Sequence, residues 1–188
     1  MPPKVKITKD DIIKAAVEIV RKSGASALNA RDIALQLGCS TQPIFSNFPS
    51  MNELKNAVIM RGYEMYREYI SLETATGEYS PYKASGMAYI RFAREEREIF
   101  KLLFMRDRRE DGEDSVDLDI DDIIEIIQKS IGIGEYEAKL FHLEMWVYVH
   151  GIASMTATGY FELEPELASR MITDFYLGLV KRYKDKEA

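Results

Sequence analysis

A single cysteine, Cys39, and two histidines, His142 and His150, are all that this 188-residue chain offers of the side chains most used for transition-metal binding and nucleophilic chemistry. A lone thiol excludes an intramolecular disulfide and is too few for a cysteine-based zinc site. Both histidines fall on one predicted helix with no cysteine nearby, and the chain contains no GxSxG, no phosphate-cradling glycine loop and no dinucleotide fingerprint. Catalysis needs a constellation of groups that the sequence does not supply, so no enzyme, cofactor or metal is expected. Long apolar runs are missing too. No segment reaches the roughly 18 uninterrupted apolar residues of a membrane span, and the opening MPPKVKITKDD has no apolar core of the signal-peptide kind. The expectation is a cytoplasmic protein with no membrane partner. Alternating strand patterns and internal repeats are also absent.

One acidic stretch invites a metal reading. In residues 107–122, DRREDGEDSVDLDIDD, the spacing of Asp117, Asp119 and Asp121 matches the early ligands of a calcium loop. The required glycine is Asp122, however, and the closing glutamate is Gln128, so a solvated acidic loop between helices is the expectation.

What is present is helical periodicity from end to end, which gives an all-α fold class. Thr8 with Asp11 forms a capping-box pattern for a helix running to about Ser23, with Ile12, Ala16, Ile19 and Val20 as its buried stripe and Gly24 as its stop. Asn29 caps a helix of about two turns whose Ile33, Ala34 and Leu37 share one face. Gly38 sits where the chain must reverse, Ser40 is a natural cap for the following helix, and Pro43 falls in that helix's first turn, where a missing N–H costs little. Ile44 and Phe48 are spaced to hold this helix, about 40–47, on the core, leaving Thr41, Gln42, Phe45 and Ser46 outward. Ser50 and Glu53 repeat the capping box for a helix that begins just after Pro49. Two short helices joined by a glycine turn read as a helix-turn-helix, in which the second helix reads DNA.

Net charge supports that reading once it is divided. The whole chain carries −6, yet residues 1–50 hold seven cations (Lys4, Lys6, Lys9, Lys14, Arg21, Lys22, Arg31) against four acids (Asp10, Asp11, Glu18, Asp32), a net +3. The remainder, with 18 basic and 27 acidic residues, carries −9. Positive potential is concentrated where phosphates would lie, although a solvated surface can show the same asymmetry.

The ordered run is specific. A leading helix ends in Gly24. Ala27-Leu28-Asn29 then precedes Arg31-Asp32-Ile33-Ala34, followed by Leu37-Gly38-Cys39-Ser40, Ile44-Phe45 and Phe48-Pro49-Ser50. Over residues of about 8 to 58 this resembles the DNA-binding domain of the TetR (tetracycline repressor) family of bacterial regulators. The resemblance implies a DNA-binding domain at 1–50, a helical effector-binding and dimerisation domain at 51–188, and double-stranded operator DNA as partner. Thr41, Gln42, Phe45 and Ser46 are then nearest the bases, with Thr8, Lys9, Asn29, Arg31, Asn47 and Lys55 as phosphate contacts. Three departures stand out: Phe45 where the family usually has a tyrosine whose hydroxyl can reach DNA, Met51 where a lysine commonly opens the fourth helix, and Asn47 where histidine or tyrosine is frequent. Lys55, one turn on, is a substitute for the missing lysine.

Beyond residue 51, helices are predicted at roughly 51–74, 81–94, 96–106, 118–130, 135–159 and 164–184. The helix at 135–159 is apolar nearly all round, through Leu140, Phe141, Leu143, Met145, Trp146, Val147, Val149, Ile152 and Met155, so it must be covered on both sides. Either a thick monomer core or a four-helix homodimer interface with the helix at 164–184 would do this, and the resemblance implies the dimer. Aromatic and methionine side chains in the middle helices are core by default, but the resemblance also implies a small-molecule pocket there. Tyr66, Phe92, Phe104, Trp146 and His150 are its candidate lining, for an apolar or aromatic effector. Trp146 and His150 lie i, i+4 on one face, where the histidine could bond a ligand or be a satisfied interface residue. Cys39 is either a small buried apolar group or a redox-sensitive thiol beside the reading helix. The overall expectation is a ligand-released repressor; the alternative is a regulator whose second domain is only a dimerisation or protein-partner scaffold.

Overall fold

In a computed structural model of the chain, residues 7–107 and 120–185 are described. The expected acidic loop falls mainly outside these residues. Among the described residues every regular element is helical: α1 (Lys9–Ser23), α2 (Ala30–Gln36), α3 (Gln42–Asn47), α4 (Met51–Ala75), α5 (Pro81–Glu95), α6 (Arg97–Phe104), α7 (Ile120–Ile131), α8 (Glu135–Ala157) and α9 (Pro165–Asp185). The all-α expectation holds, and each predicted helix after residue 50 is found within about two residues of its limits. None of the described helices is long and apolar enough to cross a membrane.

The residues fall into two compact units, Met1–Glu68 with Glu96–Arg106, and Tyr69–Glu95 with Asp107–Ala188. These are packing units.

In the first unit α1 packs on α2, α3 and α6. Its start is fixed as expected. The Thr8 hydroxyl accepts from the Asp11 backbone N–H at 3.2 Å, while the Thr8 N–H donates to the Asp11 carboxylate at 2.9 Å. Ile12, Ala15, Ala16, Val17 and Val20 are buried on α1, a broader face than the predicted stripe, whereas Ile19 is half-buried. Gly24 ends the helix at φ +79°, leading into a short 3-10 turn at Ala25–Ala27 that periodicity did not reveal. Arg21 donates through Nε and Nη2 to both oxygens of Glu96, at 2.7 and 2.8 Å, tying α1 to the start of α6. Close packing on α4 requires Gly62, where an added Cβ would lie 3.0 Å from Leu103 and 3.2 Å from Ile99 of α6.

In the second unit α8 is the central helix, flanked by α5, α7 and α9. Its buried side carries Ala138, Phe141, Met145, Val149, Ile152 and Ala153. The opposite stripe is exposed and still apolar: Leu140, Leu143, Val147 and Met155, with Trp146 at its flank. Half of the near-continuous apolar surface of α8 is therefore satisfied within the chain and half is left open.

Candidate nucleic-acid interface

Asn29 organises the entry to the helix-turn-helix. Its Oδ1 accepts from the N–H groups of Arg31 and Asp32, each at 3.0 Å, and its Nδ2 donates to the Ala27 carbonyl and the Asp32 carboxylate. Gly38 takes φ +63°, the left-handed geometry expected of the turn, and the Cys39 N–H closes it on the Ala34 carbonyl at 2.9 Å. Cys39 is half-buried, more open than a core residue.

The start of α3 differs from the sequence expectation. Ser40 does not cap it and the helix does not begin at residue 40. Thr41 precedes the first helical residue, Gln42, in an αR conformation and without a side-chain cap bond. Pro43, near the amino end, needs no N–H partner there, which removes one demand for a cap.

Ile44 is fully buried and Phe48 nearly so, which anchors α3 and fixes its rotation. Gln42, Phe45 and Ser46 are exposed and Thr41 is half-buried, so the four expected reading residues lie on the open side of the helix. Phe45 keeps 47% of its surface in solvent. Two polar side chains of α3 fold back on their own helix: Ser46 Oγ donates to the Gln42 carbonyl at 2.9 Å and Asn47 Nδ2 to the Pro43 carbonyl at 2.8 Å.

The surrounding cations divide into two classes. Lys14 pairs with Asp10, and Arg21 with Glu18 and Glu96. Among the described residues no carboxylate pairs with Lys9, Lys22, Arg31 or Lys55; Lys9 Nζ sits 5.4 Å above the Phe48 ring. Of the six expected phosphate contacts, Thr8 and Asn29 have their side chains engaged as helix caps and Asn47 is bonded to Pro43. Lys9, Arg31 and Lys55 have no carboxylate partner among the described residues.

The five expected pocket residues are found in two groups. In the first unit Tyr66 and Phe104 meet edge-to-face at 5.5 Å, and burial holds the Tyr66 hydroxyl well above its ordinary pKa. In the second unit fully buried Phe92 meets Tyr69 at 5.2 Å, and Trp146 stacks on His150 with ring centroids 5.0 Å apart and planes 11° from parallel.

Each histidine has a tyrosine partner that periodicity alone does not reveal. Tyr82 Oη lies 3.1 Å from His142 Nδ1, and Tyr89 Oη 2.9 Å from His150 Nδ1, with Ser154 Oγ 3.2 Å from the other ring nitrogen of His150. A neutral imidazole satisfies both His150 contacts by accepting at one nitrogen and donating at the other. Burial lowers the pKa of both histidines. The only local hint was spacing, with tyrosines seven apart on α5 and histidines eight apart on α8, each repeating a helix face.

On the open face of α8, Leu143 is 52% and Val147 57% exposed, and a Cβ added at Gly151 would meet open space. α9 exposes Leu167, Leu177 and Gly178 along with the charged residues Arg170, Asp174 and Lys181.

Residues 82–175, half of the chain, match the family described as tetracyclin repressor-like, C-terminal domain. Two solved structures from Rhodococcus sp. RHA1 share the fold. A TetR-like transcriptional regulator superposes with a TM-score of 0.66 at 18% identity, covering 97% of each chain. A protein of unknown function superposes with a TM-score of 0.72 at 19% identity, covering 96% of this chain and 97% of its own. No curated protein matches the sequence.

Proposed function

Since this chain belongs to the TetR family of transcriptional regulators, we propose that it is a homodimeric repressor that binds a palindromic operator through α3 and is released by a small apolar or aromatic effector. The observation that carries the DNA-reading part is the orientation of α3. Ile44 and Phe48 are buried beneath it, and Thr41, Gln42, Phe45 and Ser46 are on its open side. Residues 1–50 act as the DNA-binding domain, with Lys9, Arg31 and Lys55 supplying phosphate contacts that position the helix in the major groove. Thr8, Asn29 and Asn47 support the same surface by fixing the helix ends and backbone around it.

Residues 51–188 dimerise and respond to ligand. The open apolar stripe of α8, with α9, meets the same helices of a second copy, and twofold symmetry matches half-sites spaced about 34 Å apart. An effector held near Phe92, Trp146 and His150 in the second unit shifts α4, the helix that begins at Met51 directly after the reading helix. Release requires that the effector bind the DNA-free arrangement more tightly than the DNA-bound one.

Fluorescence anisotropy with DNA from the protein's own promoter region, against scrambled DNA and across a salt series, tests this reading. The expected result is saturable binding of a dimer at least about a thousandfold tighter than to the scramble; equal affinity for both would refute it. A second reading, a dimerisation scaffold with no effector, draws on the packing of the second unit, where Phe92 is fully buried and both His150 ring nitrogens have partners. A compound screen by thermal shift separates the two, since only an effector-responsive protein gains stability with a compound that also weakens operator binding.

A further inference from the structure

Resting on the DNA-reading role of α3 proposed above, we infer that Phe45 is a specificity-determining residue of the operator half-site and that it reads the C5-methyl group of a thymine.

The inference comes from what each outward side chain has left to give. Ser46 donates its hydroxyl proton to the Gln42 carbonyl and Asn47 donates to the Pro43 carbonyl, so both are turned along the helix. Thr41 lies half-buried at its start. Gln42 is the polar reading group with a side chain unengaged among the described residues. Between these positions Phe45 keeps nearly half of its surface in solvent, while the neighbouring large apolar side chains, Ile44 on α3 and Phe48 just after it, are buried.

An aromatic ring lacking a hydroxyl can neither donate to a base edge nor accept from one. In the major groove only thymine presents an apolar group, its C5-methyl, and phenylalanine is among the side chains that contact it. Covering that methyl removes apolar surface from water on both partners. The ring contributes no charge, so it discriminates between bases without adding to the salt-dependent phosphate term.

The test begins by selecting an operator from a random duplex pool with the full-length chain. Each selected thymine is then replaced by deoxyuridine, which deletes only the methyl group. With the wild-type protein, one thymine per half-site is expected to be methyl-dependent, its replacement weakening binding about fourfold, the transfer value of one buried methyl. The slope of affinity against salt should not change. With F45A, thymine and deoxyuridine at that position should bind equally. Phe45 is outward-facing, so F45A should keep the wild-type helical content and melting temperature.

A selected operator with no methyl-dependent thymine, or methyl dependence that persists in F45A and disappears in T41S, overturns the assignment while leaving the DNA-reading role intact. Selection that enriches no sequence at all overturns both.

Discussion

Replacing Leu143 and Val147 together by glutamate should convert the proposed homodimer to a folded monomer. The two side chains lie one turn apart on α8, with 52% and 57% of their surfaces exposed in the single chain. Fully burying an aliphatic side chain of this size is worth about 1.5–3 kcal/mol, so the exposed half of each contributes about 0.75–1.5 kcal/mol when a partner covers it. Twofold symmetry counts both residues twice, giving about 3–6 kcal/mol lost, or a dissociation constant raised by about a hundredfold to ten-thousandfold. Four carboxylates brought into an apolar interface add a desolvation penalty in the same direction.

Within one chain about half of each side chain is already in water, so helical content should be kept, with monomer stability lowered by no more than about 3 kcal/mol. Sedimentation velocity from nanomolar to tens of micromolar measures the association. Trp146, the chain's single tryptophan, gives a second readout, since its 46% exposure in the lone chain should fall in the dimer and protect it from acrylamide quenching. An unchanged dissociation constant would place the interface elsewhere. A variant that loses its helical structure would show that Leu143 and Val147 belong to the monomer core, and would refute the argument equally.

Three further outcomes follow from particular residues. Gly24 adopts φ +79°, and an added Cβ would lie 3.0 Å from the Glu98 carboxylate, so G24A should destabilise the protein by about 1–3 kcal/mol in chemical denaturation. Burial lowers the pKa of His142 and His150 below the ordinary 6.5, so the unfolded chain binds protons more readily than the folded one. Their contribution to stability is fully present above that value and is lost as pH falls through the lowered folded-state pKa. Melting temperature should therefore drop more steeply from pH 7 to 5 in the wild type than in H142N/H150N, and equal slopes would dismiss the burial argument. R31A, which removes a cation with no carboxylate partner among the described residues, should weaken binding to specific and scrambled DNA alike and reduce the salt slope by about 1; an effect confined to one base position would instead make Arg31 a base reader.

Local signals determined much of this protein from sequence alone. Thr8 and Asn29 cap helices because their short polar side chains reach backbone N–H groups two or three residues away. Gly24 and Gly38 end helices because their backbone geometry favours a residue without Cβ. Ile44 and Phe48 define the buried side of α3 by spacing alone, and so expose the expected reading residues on the other. The boundary of α3 was missed because Ser40 is a good cap by residue type, whereas the helix starts at Gln42 with no side-chain cap bond from Thr41 and with Pro43 in its first turn.

Tertiary structure decided what distant segments do to one another. Periodicity marked α8 as apolar nearly all round but could not say which side the chain itself covers; the packing of α5, α7 and α9 chose Phe141 and Val149 and left Leu143 and Val147 open. The Tyr82–His142 and Tyr89–His150 bonds join residues 60 and 61 positions apart, and the Arg21–Glu96 pair spans 75. A cap or a turn is recorded in neighbouring residues because its partners are covalently close. These long-range partners are chosen only when whole helices settle against each other, and no short stretch of sequence contains both halves of the contact.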